Sequence, residues 1–351
     1  MPTSPAEPDS RRLAQHRVSG IDGLRALAAL AVFFCHLAEM PASTHGAISR
    51  AWRAVWQHGY LGVSLFFVIS GVCIGRTWLG SATPGEFSLR RLRRIFPAYW
   101  GSLAVICALA LAVKLIFGTN DVAVLPASGA ALLATVTLAT APVSSFPPMS
   151  GVYWSLSFEL AFYAVMTALL LAPPARRPAA LALAHALLCL LACRPGWSRI
   201  PLGFFIELWP LFGTGAALAL WRDHRRLALA MFLASAVPAI AALLQHRLVA
   251  EWTTAILGTG LCAAALGGKL AFWPTPLVEL GKISYSLYLL HVPIGGYFYF
   301  HALANRGPTE GSEILWQTAV VVVTAFAIRP LYRWLEMPFL RPTARVNPPP
   351  A

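Results

Sequence analysis

Apolar runs of up to about twenty residues recur along this chain, and they constrain its fold more than any other feature. They lie near residues 22–40, 60–79, 95–117, 128–142, 152–172, 179–193, 203–221, 227–244, 252–271, 281–300 and 314–335. A helix of about twenty apolar residues crosses the roughly 30 Å hydrocarbon layer of a bilayer, so this pattern predicts an all-α integral membrane protein. Composition agrees, because 58% of the 351 residues are hydrophobic and only 12% charged, against about a quarter charged in soluble domains. A water-soluble globule is excluded.

The net charge of +13 would suggest a nucleic-acid partner if the Lys and Arg formed one solvated face. Here they sit in short clusters between apolar runs, which is the positive-inside pattern, so the expected partner is a lipid bilayer and not nucleic acid. The run 128–142 has 15 residues with three Thr, too short for a full crossing. Charge decides its status. Omitting it, with the N-terminus inside, puts Arg11, Arg12, Arg17, Arg90, Arg91, Arg93, Arg94, Arg176, Arg177, Arg222, Arg225, Arg226, Lys282, Arg341 and Arg345 on the cytoplasmic side. Counting it as a crossing turns the later clusters outward, against the usual bias. The expectation is a polytopic bundle of about ten transmembrane helices plus a short re-entrant or interfacial helix, with both termini cytoplasmic. A membrane domain over 21–337 is then flanked by disordered tails at 1–20 and 338–351, both of which contain prolines. The six cysteines, Cys35, Cys73, Cys107, Cys189, Cys193 and Cys262, lie in apolar segments without C-x-x-C spacing; they read as small buried residues, and no metal site is expected.

Ionisable groups within a span are costly and mark function by default. Arg25 and His36 are eleven residues apart, about 20° past three full helical turns, so they project from one face about 16 Å apart along the axis. Asp22 and Glu39 extend this polar seam at either end. A blander reading makes His36 structural and lets Arg25 snorkel to the headgroups. In the run 152–172, Ser155, Glu159 and Tyr163 recur every four residues and share a face; alternatively Tyr153 and Trp154 form an interfacial belt and Glu159 meets headgroups. Ser284, Tyr288 and His291 share another face, where a hydroxyl neighbour alone would also satisfy the His. Arg90, Arg91, Arg93 and Arg94 form a cluster suited to phosphate or to anchoring on anionic lipid.

These segments together resemble the acyltransferase-3 family of integral membrane acyltransferases. The likeness rests on five motifs in order over about 270 residues: Ile21-Asp22-Gly23-Leu24-Arg25 leading to His36, Leu65-Phe66-Phe67-Val68-Ile69-Ser70-Gly71, Arg90-Arg91-Leu92-Arg93-Arg94-Ile95-Phe96-Pro97, Trp154-Ser155-Leu156-Ser157-Phe158-Glu159 with Tyr163, and Ser284-Tyr285-Ser286-Leu287-Tyr288-Leu289-Leu290-His291. The resemblance implies transfer of an acyl group, commonly acetyl, from cytoplasmic acyl-CoA to a hydroxyl of a cell-surface glycan or other sugar-bearing acceptor, in the inner membrane of a bacterium. Acyl-CoA is then a co-substrate, and no permanently bound cofactor is expected. Ser70 joins the candidate site through its motif. The chain departs from the family where Leu160 and Ala161 replace an acidic-polar pair, and it reads as the stand-alone form without a hydrolase-like domain.

The chemistry of the residues agrees with that assignment. An alcohol attacking a thioester needs a base near neutral pH, and His suits it. His36 is the expected base, with Glu159 or Glu39 fixing its tautomer, Arg25 holding the phosphate or thioester region of the donor, and the arginines 90–94 engaging CoA phosphates at the mouth. Two rivals are a proton-coupled exporter of a glycan or small molecule, since intramembrane Arg, His and Glu also describe a proton relay, and a lipid-binding envelope subunit. The exporter lacks visible repeats, and the subunit leaves the Arg25–His36 alignment unexplained.

Overall fold

The computed structural model describes residues 7–39, 46–118, 124–197, 200, 203–270, 272–303 and 309–340, all of them in helices or the turns between them. In chain order the helices are α1 (Glu7–Glu39), α2 (Ala47–Trp56), α3 (Gly62–Leu79), α4 (Pro84–Phe117), α5 (Gly129–Val136), α6 (Trp154–Leu169), α7 (Arg177–Ala192), α8 (Trp209–Leu220), α9 (Arg225–Leu244), α10 (Val249–Leu266), α11 (Thr275–Lys282), α12 (Ser284–Leu303), α13 (Glu310–Leu331) and α14 (Met337–Leu340). A π-helical turn, Tyr332–Glu336, joins the last two.

Among the described residues, eight helical stretches are long and apolar enough to cross a membrane: Ser19–Glu39, Ala47–Leu79, Pro84–Ile116, Gly151–Leu169, Pro174–Ala192, Arg225–Leu244, Val249–Leu266 and Gly311–Leu340. Of the other two expected crossings, 281–300 corresponds to the 20-residue α12. The expected span 203–221 is corrected. Residues 203–208 form turns, and α8 has only 12 residues, about 18 Å of rise and too short to cross alone. Pro210 in its first turn starts that helix without an N–H to satisfy. Because α8 is buried on nearly every side, its all-round hydrophobicity serves the protein core instead of the lipid. α1 begins at Glu7, within the segment expected to be a disordered tail. Residues 1–6 and 341–351, including Arg341 and Arg345, lie outside the described residues.

The short run 128–142 yields α5, eight residues long, which rises about 12 Å and does not cross. Its start is capped by Ser128, whose Oγ accepts from Ala131 N at 3.1 Å. Its far end leaves carbonyls without helical partners, and neighbours supply them. Tyr99 Oη donates to Thr135 O at 2.6 Å, Trp100 Nε1 to Val136 O at 2.9 Å and Ser157 Oγ to Leu138 O at 3.0 Å. Irregular backbone at membrane depth is tolerated only where protein satisfies its polar groups.

The core is built around α3 and α8. Gly71 faces the Phe212 carbonyl and Gly215 faces the Val68 carbonyl so closely that a Cβ on either would collide with backbone. Small residues let two helices approach this way without a gap. Around that contact Phe67 stacks on Phe212 (4.5 Å between ring centres, 27°) and Phe212 on Phe162 (4.6 Å, 18°), an offset arrangement that aromatic quadrupoles favour. Trp78 Nε1 donates to Met166 O at 2.8 Å and so ties α3 to α6. Arg177 spans the adjoining helix ends, donating to Ser81 O, Ala82 O, Leu170 O and Ala172 O at 3.0–3.2 Å. All six cysteines are free; Cys35, Cys189 and Cys262 are buried, Cys73 and Cys193 are half-buried, and Cys107 is exposed, so burial holds for only half of them. The helix α2, with Trp52 and Trp56 packed on Phe34 at 5.4 and 4.8 Å, was not anticipated from the apolar runs.

Candidate active site

Helices α1, α3, α4, α6 and α12 enclose a cavity of about 130 Å³. α1 supplies Arg25, α3 supplies Ser70 and Cys73, α4 supplies Arg91 and Arg94, α6 supplies Ser155, Glu159 and Tyr163, and α12 supplies Ser284, Tyr285 and Tyr288. The fourfold spacing on α6 explains why its three polar residues arrive together, since i, i+4 positions lie one above another. Phe66, Phe67, Ile69 and Leu156 close the apolar part of the wall.

The four clustered arginines divide into two i, i+3 pairs. Arg91 and Arg94 line the cavity. Arg90 and Arg93 are exposed, and Arg90 is engaged outside, donating to Ser81 Oγ at 2.7 Å and lying 3.4 Å from Glu86. Of the four arginines expected to engage phosphate at the mouth, Arg91 and Arg94 line the cavity and Arg90 and Arg93 lie outside it. Thr83 fixes the start of this helix, its side chain accepting from Glu86 N at 3.2 Å with Pro84 in the first turn.

Inside, Arg91 lies over the rings of Phe87 and Tyr163 at 5.8 and 5.9 Å, a cation–π arrangement. Its Nη2 is 3.4 Å from Thr77 Oγ1 and its buried Nε has no hydrogen-bond partner among the described residues. Arg94 is paired with Glu336 and lies over Tyr285 at 5.1 Å. Arg25 is 3.9 Å from Asp22 on its own helix. Glu159 accepts from Tyr163 Oη at 2.5 Å. Three guanidiniums and the Glu159 carboxylate line the cavity, with Asp22 and Glu336 beside Arg25 and Arg94, so among the described residues Arg91 is the cavity guanidinium with no carboxylate partner.

His36 stands apart from this cavity, about three turns along α1 from Arg25. Glu39, and not Glu159, reaches it: Glu39 Oε2 lies 3.0 Å from His36 Nδ1. A carboxylate only accepts, so Nδ1 carries the proton and donates, leaving Nε2 as the basic nitrogen. The other Glu39 oxygen accepts from Cys35 Sγ at 3.6 Å. His291 lies beside His36, ring centres 5.3 Å apart. Its Nδ1 faces the carbonyls of Tyr288 (2.8 Å) and Leu287 (3.1 Å) and must donate to them, while its buried Nε2 has no partner among the described residues. Tyr288 links the two regions, because its ring belongs to the cavity wall and is 5.8 Å from the His291 ring. Its hydroxyl donates to Val152 O at 2.8 Å and accepts from Ser155 Oγ at 2.7 Å.

Of the residues singled out in the sequence, Arg25, Ser70, Arg91, Arg94, Ser155, Glu159, Tyr163 and Tyr288 meet at the cavity. His36, Glu39 and His291 form a second group next to it, and Asp22 backs Arg25. Glu336, which pairs with Arg94 of the cavity wall, was not singled out in the sequence. The available signal was a carboxylate following directly on the last apolar run.

The family model described as an acyltransferase domain, of the acyltransferase-3 family, matches residues 18–332. A putative membrane-bound transacylase, BcsY of Komagataeibacter xylinus, is 30% identical over 319 residues, covering 83% of this chain and 78% of that protein. The acyltransferase MdmB of Streptomyces mycarofaciens is 27% identical over 349 residues, 89% of this chain and 87% of its own. The peptidoglycan O-acetyltransferase OatA of Listeria monocytogenes is 34% identical over 101 residues, 27% of this chain and 14% of its own. No solved structure matches.

Proposed function

Because the chain belongs to the acyltransferase-3 family and is a multi-span membrane acyltransferase, we propose that it moves an acyl group, acetyl in the first instance, from cytoplasmic acyl-CoA to a hydroxyl of a cell-surface glycan or another sugar-bearing acceptor. The observation that carries this reading is the juxtaposition of a cavity lined by three guanidiniums with a Glu-oriented histidine next to it. Phosphates of the donor meet Arg91 and Arg25, which stay charged at any working pH. The acceptor hydroxyl gives its proton to His36 Nε2 as its oxygen attacks the thioester carbonyl. A new C–O bond forms, the C–S bond breaks, and the CoA thiolate leaves and takes up the proton. The names of the relatives support the acyl chemistry, and that of the Listeria protein supports acetyl and an envelope glycan.

The reading places the protein in the inner membrane of a bacterium, with both termini and the Arg90–Arg94, Arg176–Arg177 and Arg222–Arg226 segments on the cytoplasmic side, motivated by the charge asymmetry. The test is to incubate the purified protein with labelled acetyl-CoA and follow thiol release and label transfer to glycan. Thioester consumption is expected; an exporter would leave it intact. A thiol reagent applied outside intact cells should fail to reach a cysteine placed at Arg176, and labelling there would overturn the orientation.

A further inference from the structure

Glu336 is the last residue of the π turn that follows α13, and its side chain is fully buried, whereas that of Arg94 is 19% exposed. Both carboxylate oxygens are occupied. Oε1 accepts from Arg94 Nη1, and Oε2 accepts from Ser286 Oγ at 2.6 Å. A carboxylate within a membrane domain persists only when paired, and the partner here is a residue of the cavity wall. Glu336 and Ser286 do not themselves line the cavity. Glu336 therefore stands one layer behind it, and among the described residues its hydrogen bond to the cavity wall is the one with Arg94.

The geometry of that contact is closely determined. π turns insert an extra residue into a helix and recur at functional sites. The Tyr285 ring lies against the Arg94 guanidinium, and its hydroxyl donates to Ile95 O at 3.0 Å, so the ring is itself held to α4. With a carboxylate bound at Nη1 and a ring on one face, Arg94 still lines the cavity, and no other hydrogen-bond partner of its guanidinium is seen among the described residues. Arg91 differs, since no carboxylate pairs with it among the described residues and its Nε is unsatisfied.

We propose that Glu336 is a positioning residue of the donor cavity, acting through Arg94: it offsets the charge of that guanidinium and aims its free N–H groups at the uncharged carbonyl and amide portion of the donor, leaving phosphate attraction to Arg91. The inference rests on the donor-site reading given above. It makes the two cavity arginines unequal, one a directional donor and one a free charge.

The test uses the full chain in lipid nanodiscs with acetyl-CoA as the probe, measuring equilibrium binding, KM and kcat. Glu336→Gln keeps the shape but removes the charge, and should raise KM for acetyl-CoA about tenfold, equivalent to about 1.4 kcal/mol, with kcat little changed. Ser286→Ala, which leaves the ion pair intact and is the milder variant should Glu336→Gln not fold, shifts KM the same way by about threefold. In an Arg94→Gln background Glu336→Gln should add less than about twofold, because coupled residues are not additive. Arg94→Gln should leave the salt dependence of acetyl-CoA binding as steep as in the unaltered protein, whereas Arg91→Gln should flatten it. A full effect of Glu336→Gln in the Arg94→Gln background, or a loss confined to kcat, overturns the positioning role while the donor reading stands. Failure of the unaltered protein to bind acetyl-CoA overturns both.

Discussion

Replacing Arg91 by Gln tests the division of the arginine cluster. Among the described residues Arg91 makes one hydrogen bond at the long limit of 3.4 Å, to Thr77, and rests on two aromatic rings, so most of its five N–H donors have no partner there and suit a ligand. A hydrogen bond to a charged group is worth about 1.5–3 kcal/mol; at about 1.4 kcal/mol per decade, losing one weakens acetyl-CoA binding roughly 10- to 150-fold. Arg93, two residues on, is exposed and outside the cavity. Its replacement by Gln should cost at most about 1 kcal/mol, a factor of about five, as for other solvated charges. Calorimetric titration of both variants with acetyl-CoA in nanodiscs measures the difference directly. Equal losses would show that the cluster acts as a diffuse surface charge, and the inward–outward division would carry no function.

Three further outcomes are expected. His36→Ala should lower kcat by roughly 10²- to 10⁴-fold with little change in KM for acetyl-CoA, whereas Arg25→Ala should chiefly raise that KM; a His36→Ala protein that turns over normally while His291→Ala is dead moves the base to α12. Gly71→Leu should lower the thermal midpoint in detergent, because overpacking costs about 1–3 kcal/mol or more and the atom in the way is the Phe212 carbonyl; an unchanged midpoint would refute the α3–α8 contact. Arg177→Ala frees four backbone carbonyls and should cost about 1.5–3 kcal/mol, read as a lower midpoint with unchanged acetyl-CoA affinity; a change in affinity at an unchanged midpoint would refute the structural role.

Helical periodicity made much of this molecule legible. Ser155, Glu159 and Tyr163 share a face at fourfold spacing and do meet in one cavity wall, and the parity of the basic clusters singled out the segment that became α5. Periodicity tells which face a residue occupies but not which other helix lies opposite. That is why Glu39 and Glu159 were left as alternatives for His36, and only the packing of α6 against α4 and α3 sends Glu159 to the cavity and leaves Glu39 at the histidine. The arginines 90–94 read as one cluster because charge was counted along the chain; resolving them into i, i+3 pairs needed only the helix period. α2 was missed because Arg50 and Arg53 break its hydropathy, although the same arginines mark an amphipathic helix. Glu336 was missed for a different reason: a carboxylate at the edge of an apolar run looks solvated, and a π turn has no sequence signature strong enough to say otherwise.

The pairing of Arg94 with Glu336 also has a consequence in time. The two residues are 242 positions apart, and synthesis at about 5–20 residues per second separates their appearance by roughly 12–50 s. Throughout that interval the cavity arginine exists without its carboxylate, so the earlier spans are made before the cavity wall has its full complement of charge. On the proposed donor-site reading, full affinity for the acyl donor then awaits delivery of the final helix. A chain cut short before that helix would keep most of its crossings and lack the carboxylate that pairs with Arg94.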